Sequence, residues 1–174
     1  GGTLYGGKSG YAGEFGHISI FANDIMCHCG KKGCLETEAS GLAMVKQAKE
    51  ALKAGTSSLL SSKFLKTENI TINHLINAAQ KDDNLSIEII TNSAEKIGKG
   101  IAILLNLFNP ALVVIGGRFA QLQSLLLLPI LSSINKHSLH LINADTEFKV
   151  TQLHNRAGLL GISLLTRNHI LSFK

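Results

Sequence analysis

Apolar residues recur at helical spacing along most of this chain and at strand spacing in only a few short stretches. In residues 41–54, Leu42, Val45, Ala48 and Leu52 form an inward stripe opposite Lys46, Lys49 and Lys53, and Gly55 stops the helix. A Ser/Thr/Lys-rich connection over 56–70 leaves room for one short helix at 58–65. Ile72, Leu75, Ile76 and Ala79 repeat the pattern, with Thr71 as N-cap and Ile70 just outside it. The longest helix is expected over 85–108, where Ile87, Ile90, Ala94, Ile97, Ile101, Leu104 and Phe108 alternate in steps of three and four. Gly98 and Gly100 interrupt it at about 1 kcal/mol each against alanine, so a neighbouring element is expected to approach too closely there for a β-carbon.

After Asn109-Pro110, the all-apolar run 111–115 reads as a strand buried on both faces, followed at once by Gly116-Gly117. Residues 121–138 are expected to be helical in two pieces broken at Pro129. Phe148, Val150 and Gln152 suit a further strand. A last helix over 158–171 is apolar on most sides, so it is expected to pack between layers, with Gly158 and Gly161 allowing close contact. Residues 17–21 alternate as a short strand with Ile18 and Ile20 on one side, and residues 1–7 read as the end of a strand and a turn. Strands alternating with long helices make this an α/β layered domain, a single unit over 1–174.

Composition sharpens the class. Hydrophobic residues at 45% and charged residues at 17% describe a folded chain rather than a disordered one. No apolar run is long enough to span a membrane, the longest candidate (125–131) containing Pro129, and no signal peptide is evident, so the cytoplasm is the expected compartment. The start, Gly1-Gly2-Thr3, lacks methionine and reads as an excised domain. The net charge of +5 is concentrated in residues 31–66, where seven lysines face only Glu36, Glu38 and Glu50. That stretch has no arginine and no aromatic interleaving, so it is read as a solvated face and not as a nucleic-acid surface.

The candidate chemistry lies in residues 14–36, which hold all three cysteines of the protein. Cys27, Cys29 and Cys34 with one imidazole make a Cys3His set, the donor type and number that closed tetrahedral zinc favours. Gly30 and Gly33 fall between the second and third thiols, where the backbone must fold back at positive φ. Two histidines compete for the fourth place. His28, between two ligating cysteines, is expected to point away, whereas His17 can approach from a separate segment. An odd number of cysteines argues against a disulfide. The remaining histidines, His137, His140, His154 and His169, show no metal spacing and are read as surface or satisfied core residues. A strand, Gly116-Gly117 and a helix can also cradle a phosphate, although most such turns simply connect elements.

Gly-Tyr-Ala-Gly-Glu-Phe-Gly-His (10–17), followed by Cys-His-Cys-Gly-Lys-Lys-Gly-Cys-Leu-Glu (27–36), resembles the signature of the ROK family of bacterial sugar kinases and sugar-responsive repressors. The resemblance implies that His17, Cys27, Cys29 and Cys34 hold zinc and that Glu14, His17 and Glu36 touch a sugar. It also implies the C-terminal lobe of an actin-like, ribonuclease-H-like ATPase fold, and homo-oligomers. The family's first phosphate loop, its catalytic aspartate and, in repressors, its helix-turn-helix would lie in a half not contained here. With four protein ligands the zinc would be structural, with no open position for catalysis.

Three functions compete. The first is the sugar-binding effector domain of a regulator that meets DNA only through a segment outside this chain. The second is the C-terminal lobe of an ATP-dependent sugar kinase, with Gly116 and Gly117 contributing to the nucleotide cleft; this lobe alone would be inactive. The third is a zinc-stapled interaction domain. Gly-Gly-Arg-Phe is a poorer glycine run than kinases of the family carry, and with Cys-Leu-Glu-Thr-Glu-Ala-Ser it favours the regulator.

Overall fold

The computed structural model describes residues 3–153 and 156–171. His154 therefore lies outside the described residues, as do Gly1, Gly2 and the side chain of His169. In chain order the elements are α1 (Leu35–Ala39), α2 (Gly41–Lys53), α3 (Ser61–Thr67), α4 (Ile72–Ala79), α5 (Asn84–Phe108), β1 (Leu112–Ile115), α6 (Ser124–His137), α7 (His140–Asp145), β2 (Glu147–Val150) and α8 (Ala157–Leu171). Short 3-10 turns occupy Phe15–His17 and Arg118–Leu122. Among the described residues no helix is long and apolar enough to cross a membrane.

The long helix α5 is the axis of the packing. Its start is fixed by Asp83, whose carboxylate accepts from Ser86 N (3.0 Å), Ser86 Oγ (2.7 Å), Ser58 Oγ (2.9 Å) and Leu59 N (2.8 Å). This one N-cap therefore also ties the 56–60 connection to the helix. Burial opposes the charged form of Asp83, yet these four hydrogen bonds prevail and hold the carboxyl below its ordinary value. On the far face α6 lies so close that a β-carbon on Gly98 would stand 2.5 Å from the Ile130 carbonyl oxygen and 2.7 Å from Ser133 Cβ. The expected close approach is present, and so is a second one at Gly100. A β-carbon there would meet Phe15 Cζ at 2.8 Å and Leu35 Cδ2 at 2.9 Å. Phe15 precedes the 16–17 Gly-His pair and Leu35 precedes Glu36, so α5 seats both ends of the candidate site.

Several expectations are corrected. The inward stripe of α2 runs through Ala43, Met44, Ala48 and Leu52, while Leu42 is 78% exposed. At the other end of α5, Phe108 is 70% exposed, although Leu105 one turn earlier is fully buried. The run 111–115 is not buried on both faces: among the described residues β1 pairs only with β2, in parallel, Leu112 opposite Glu147 through Ile115 opposite Val150, and Leu112 and Val114 on one face are exposed while Val113 and Ile115 on the other are half-buried. The break in the 121–138 segment falls at Gln123 (φ +47°), between the 3-10 turn and α6, not at Pro129, which sits inside an uninterrupted α6. Helix α8 is not packed between layers: Leu159, Ile162 and Ile170 are exposed, and Gly158 and Gly161 have open space where a β-carbon would be. The expected 17–21 strand reduces to one antiparallel bridge, Ser19 with Cys34.

Candidate metal and sugar site

Local chemistry explains why residues 17–36 close on themselves. Gly33, at φ +77°, accepts through its carbonyl from Ile20 N and Phe21 N, and a β-carbon on it would stand 2.2 Å from the Phe21 oxygen. Only glycine combines that positive φ with that approach. Gly30 (φ +85°) turns the chain between Cys29 and Lys31, with its N–H donating to the Cys27 carbonyl at 2.9 Å. Cys27 N donates to Lys31 O at 2.8 Å, and Leu35 N donates to Ile18 O at 3.0 Å. These bonds bring the 15–18 segment against the start of α1.

The result gathers the predicted residues. Ligand atoms of His17, Cys27, Cys29 and Cys34 all lie within 4.8 Å of one another. Cys27 Sγ is 3.6 Å from His17 Nδ1, and Cys29 Sγ is 3.6 Å from Cys34 Sγ. Around a tetrahedral zinc ion, with bonds of roughly 2.3 Å to sulfur and 2.0–2.1 Å to nitrogen, neighbouring donors stand about 3.6–3.8 Å apart. The donor set and its spacing thus fit such an ion, and no disulfide is formed. Burial pushes the Cys34 thiol up to about 12, so in the absence of a compensating cation it stays neutral. The Cys29 thiol shifts down, mainly because the Lys31 backbone N–H supports its thiolate.

Both glutamates flank the same imidazole. Glu14 Oε2 is 3.7 Å from His17 Nε2, and Glu36 Oε2 is 3.6 Å from His17 Nδ1. His17 is one-quarter exposed, Glu36 about one-third and Glu14 two-thirds, so the three present a continuous polar face to solvent. His28 stays outside the Cys3His group with its side chain 71% exposed, but it is not isolated: its Nδ1 lies 3.4 Å from Glu36 Oε1 and 3.9 Å from Cys27 Sγ, and its ring stands edge-on to His17 with centroids 5.0 Å apart. Sequence reasoning missed this because it treated His28 only as a rival ligand. The carboxylate eight residues on was the available signal.

Gly116 and Gly117 are not part of this cluster. They lie exposed at the end of β1, Gly116 against Thr151, with Gly117 at φ +91° leading into the Arg118–Leu122 turn. His137 and His140 are exposed, His137 bonding through Nδ1 to the Ser133 carbonyl at 2.7 Å.

Known proteins resemble both the pattern and the fold. The ROK family model matches residues 1–169. The xylose repressor of Caldicellulosiruptor bescii is 34% identical over 173 residues, covering 98% of this chain and 42% of that protein. The crystal structure of a ROK family transcriptional regulator, a homologue of the Escherichia coli MLC protein, superposes with a TM-score of 0.83 at 34% identity, covering 94% of this chain and 40% of the other. A ROK family glucokinase from Streptomyces griseus, in complex with glucose and AMPPNP, superposes at 0.80 with 31% identity, covering 94% of this chain and 54% of the kinase. The chain therefore spans between about two fifths and half of these relatives' length. Its motif, its fold and its match across nearly every residue together place this chain in the ROK family.

Proposed function

We propose that this chain is the sugar-binding effector region of a ROK-family transcriptional regulator, stabilised by a structural zinc ion held by His17, Cys27, Cys29 and Cys34. Glu14 and Glu36 accept hydrogen bonds from sugar hydroxyls, and His17, its orientation fixed by the metal, contributes its remaining ring nitrogen. The observation that carries this reading is the placement of two carboxylates within 3.7 Å of one imidazole that also stands 3.6 Å from a cysteine sulfur. An ion there would fasten the 14–17 segment to the 27–36 segment, so both acceptors would be aimed before a ligand arrives. Sugar binding would then bias a separate DNA-binding segment through differential affinity for two states, in a homo-oligomer.

The kinase reading is supported by the likeness to the glucokinase and by the strand, Gly116-Gly117 and turn at the end of β1. In it this region would supply sugar contacts and part of an ATP cleft, with the catalytic base elsewhere in the protein. Two assays on the full-length protein separate the readings. The regulator binds an operator fragment and releases or tightens on it when sugar is added, with no ATP turnover. Sugar-dependent ADP formation without any DNA affinity would overturn the regulator in favour of the kinase.

A further inference from the structure

Between the knuckle and α2 lies an open cleft of about 300 Å³ that shares Glu36 with the sugar contacts above but is lined by neither Glu14 nor His17. Its lining is mixed. Ile25, Met26 and Leu42 bring apolar side chains 40%, 62% and 78% exposed, while Gln47 and Lys46 bring an amide and an ammonium from the next turn of α2. Single exposed apolar residues are ordinary, but three around one concavity, rimmed by polar groups, form a platform for a ligand. Leu42 is notable because helix periodicity would bury it, yet the buried stripe of α2 passes one residue further on. Two of the acids nearby are already engaged: Glu38 accepts from Lys96 Nζ and from Asn23, and Glu50 lies 3.9 Å from Lys46 Nζ.

Glu36 belongs to both places. Its Oε2 faces His17 and its Oε1 faces His28, and the same residue lines the cleft. A ligand bound at Glu36 therefore meets the cleft at its edge. The cleft is too large for an acetyl substituent, and its volume lies at the lower end of the roughly 300–1,000 Å³ of small-molecule sites. A pyranose ring, with apolar C–H faces and a polar perimeter, matches that size and that alternation of lining.

Resting on the sugar-binding reading above, we propose that the cleft between the knuckle and α2 is a second sugar subsite, and that the physiological ligand is a glycoside of at least two units. One unit contacts Glu14, His17 and Glu36. The next lies on Met26 and Leu42, with its hydroxyls toward Gln47 and Lys46. His28, exposed and directed at Glu36, stands at the junction.

Calorimetric titration of the full-length protein tests this with three monosaccharides (glucose, xylose and N-acetylglucosamine) and their β-1,4-linked dimers (cellobiose, xylobiose and chitobiose). For the cognate sugar the dimer should bind at least ten-fold more tightly than the monomer. In Leu42→Ser, exposed on α2, and in Gln47→Ala, half-buried on the same helix, that ratio should fall several-fold. A cognate monosaccharide, including N-acetylglucosamine, that binds as tightly as its dimer overturns the second subsite and leaves the sugar-binding reading standing, as does a ratio that both variants leave unchanged. If none of the six sugars binds, the sugar-binding reading fails and the subsite with it.

Discussion

The close contact between α5 and α6 makes Gly98→Ala a decisive substitution, because two effects of comparable size point in opposite directions. Mid-helix glycine costs about 1 kcal/mol against alanine, so helix propensity alone predicts a gain of that size. The packing predicts a loss. The added methyl would lie 2.5 Å from the Ile130 carbonyl oxygen and 2.7 Å from Ser133 Cβ, against an ordinary carbon–oxygen contact of about 3.3–3.6 Å. The nearest obstacle is backbone in the middle of α6, next to Ile130 and Ile134, both fully buried. Relief therefore requires the two helices to separate by close to an ångström, which thins the largest helix–helix interface of the core. Overpacking of this kind costs about 1–3 kcal/mol, and loss of dispersion contacts along the interface adds to it. The net expectation is destabilisation by up to about 2 kcal/mol once the propensity gain is subtracted, because the obstacle is backbone that no rotamer change can move. Urea unfolding followed by circular dichroism measures it, with Gly161→Ala as control, since that glycine has no atom within 4 Å of its missing β-carbon. Gly98→Ala should lower the midpoint and Gly161→Ala should not. A Gly98→Ala protein more stable than the parent would refute the claim that backbone approach selects glycine there.

Two further predictions concern the same helix. Asp83→Ala removes four hydrogen bonds at a buried N-cap and should cost about 3 kcal/mol. Because the folded-state carboxyl sits below its unfolded value of about 3.9, its contribution is complete above that pH and is lost as pH falls through the folded value; unfolding midpoints against pH should show that acid-side loss in the parent and its absence in the variant. Ser93 Oγ is buried in α5 without a hydrogen-bond partner among the described residues, so Ser93→Ala should raise stability by about 1 kcal/mol in the same unfolding assay.

What the sequence reveals depends on whether the controlling interaction is local. Thr71 and Thr71-capped α4, the long helix ending at Asn109, and the turns at Gly30 and Gly33 are set by nearby residues, and all are readable. The four metal-type side chains are readable too, because spacing and residue type suffice to nominate them. The errors fall where a distant or external surface decides. Periodicity cannot tell which apolar residues of α2 meet the core and which, like Leu42, rim a cleft. An apolar-rich segment such as 111–115 or α8 announces burial, but whether it is buried depends on which distant elements reach it, and Leu112, Val114, Leu159 and Ile162 stay exposed. Pro129 signals a broken helix, whereas the break comes from Gln123, one residue before α6 begins. His28 is legible as a candidate ligand but not as a neighbour of Glu36, since that contact exists only once the knuckle has folded.

In the proposed site the metal organises and the glutamates bind the sugar, and Glu36→Ala in the full-length protein separates those roles. Zinc measured by plasma emission in freshly purified, reduced protein, together with calorimetric titration of the cognate sugar, gives both readings on one sample. The variant should retain the parent's zinc, one ion per chain, and lose sugar binding by at least a hundred-fold. Parent protein without zinc, or a variant that keeps its sugar affinity or loses metal and sugar together, would contradict that proposal.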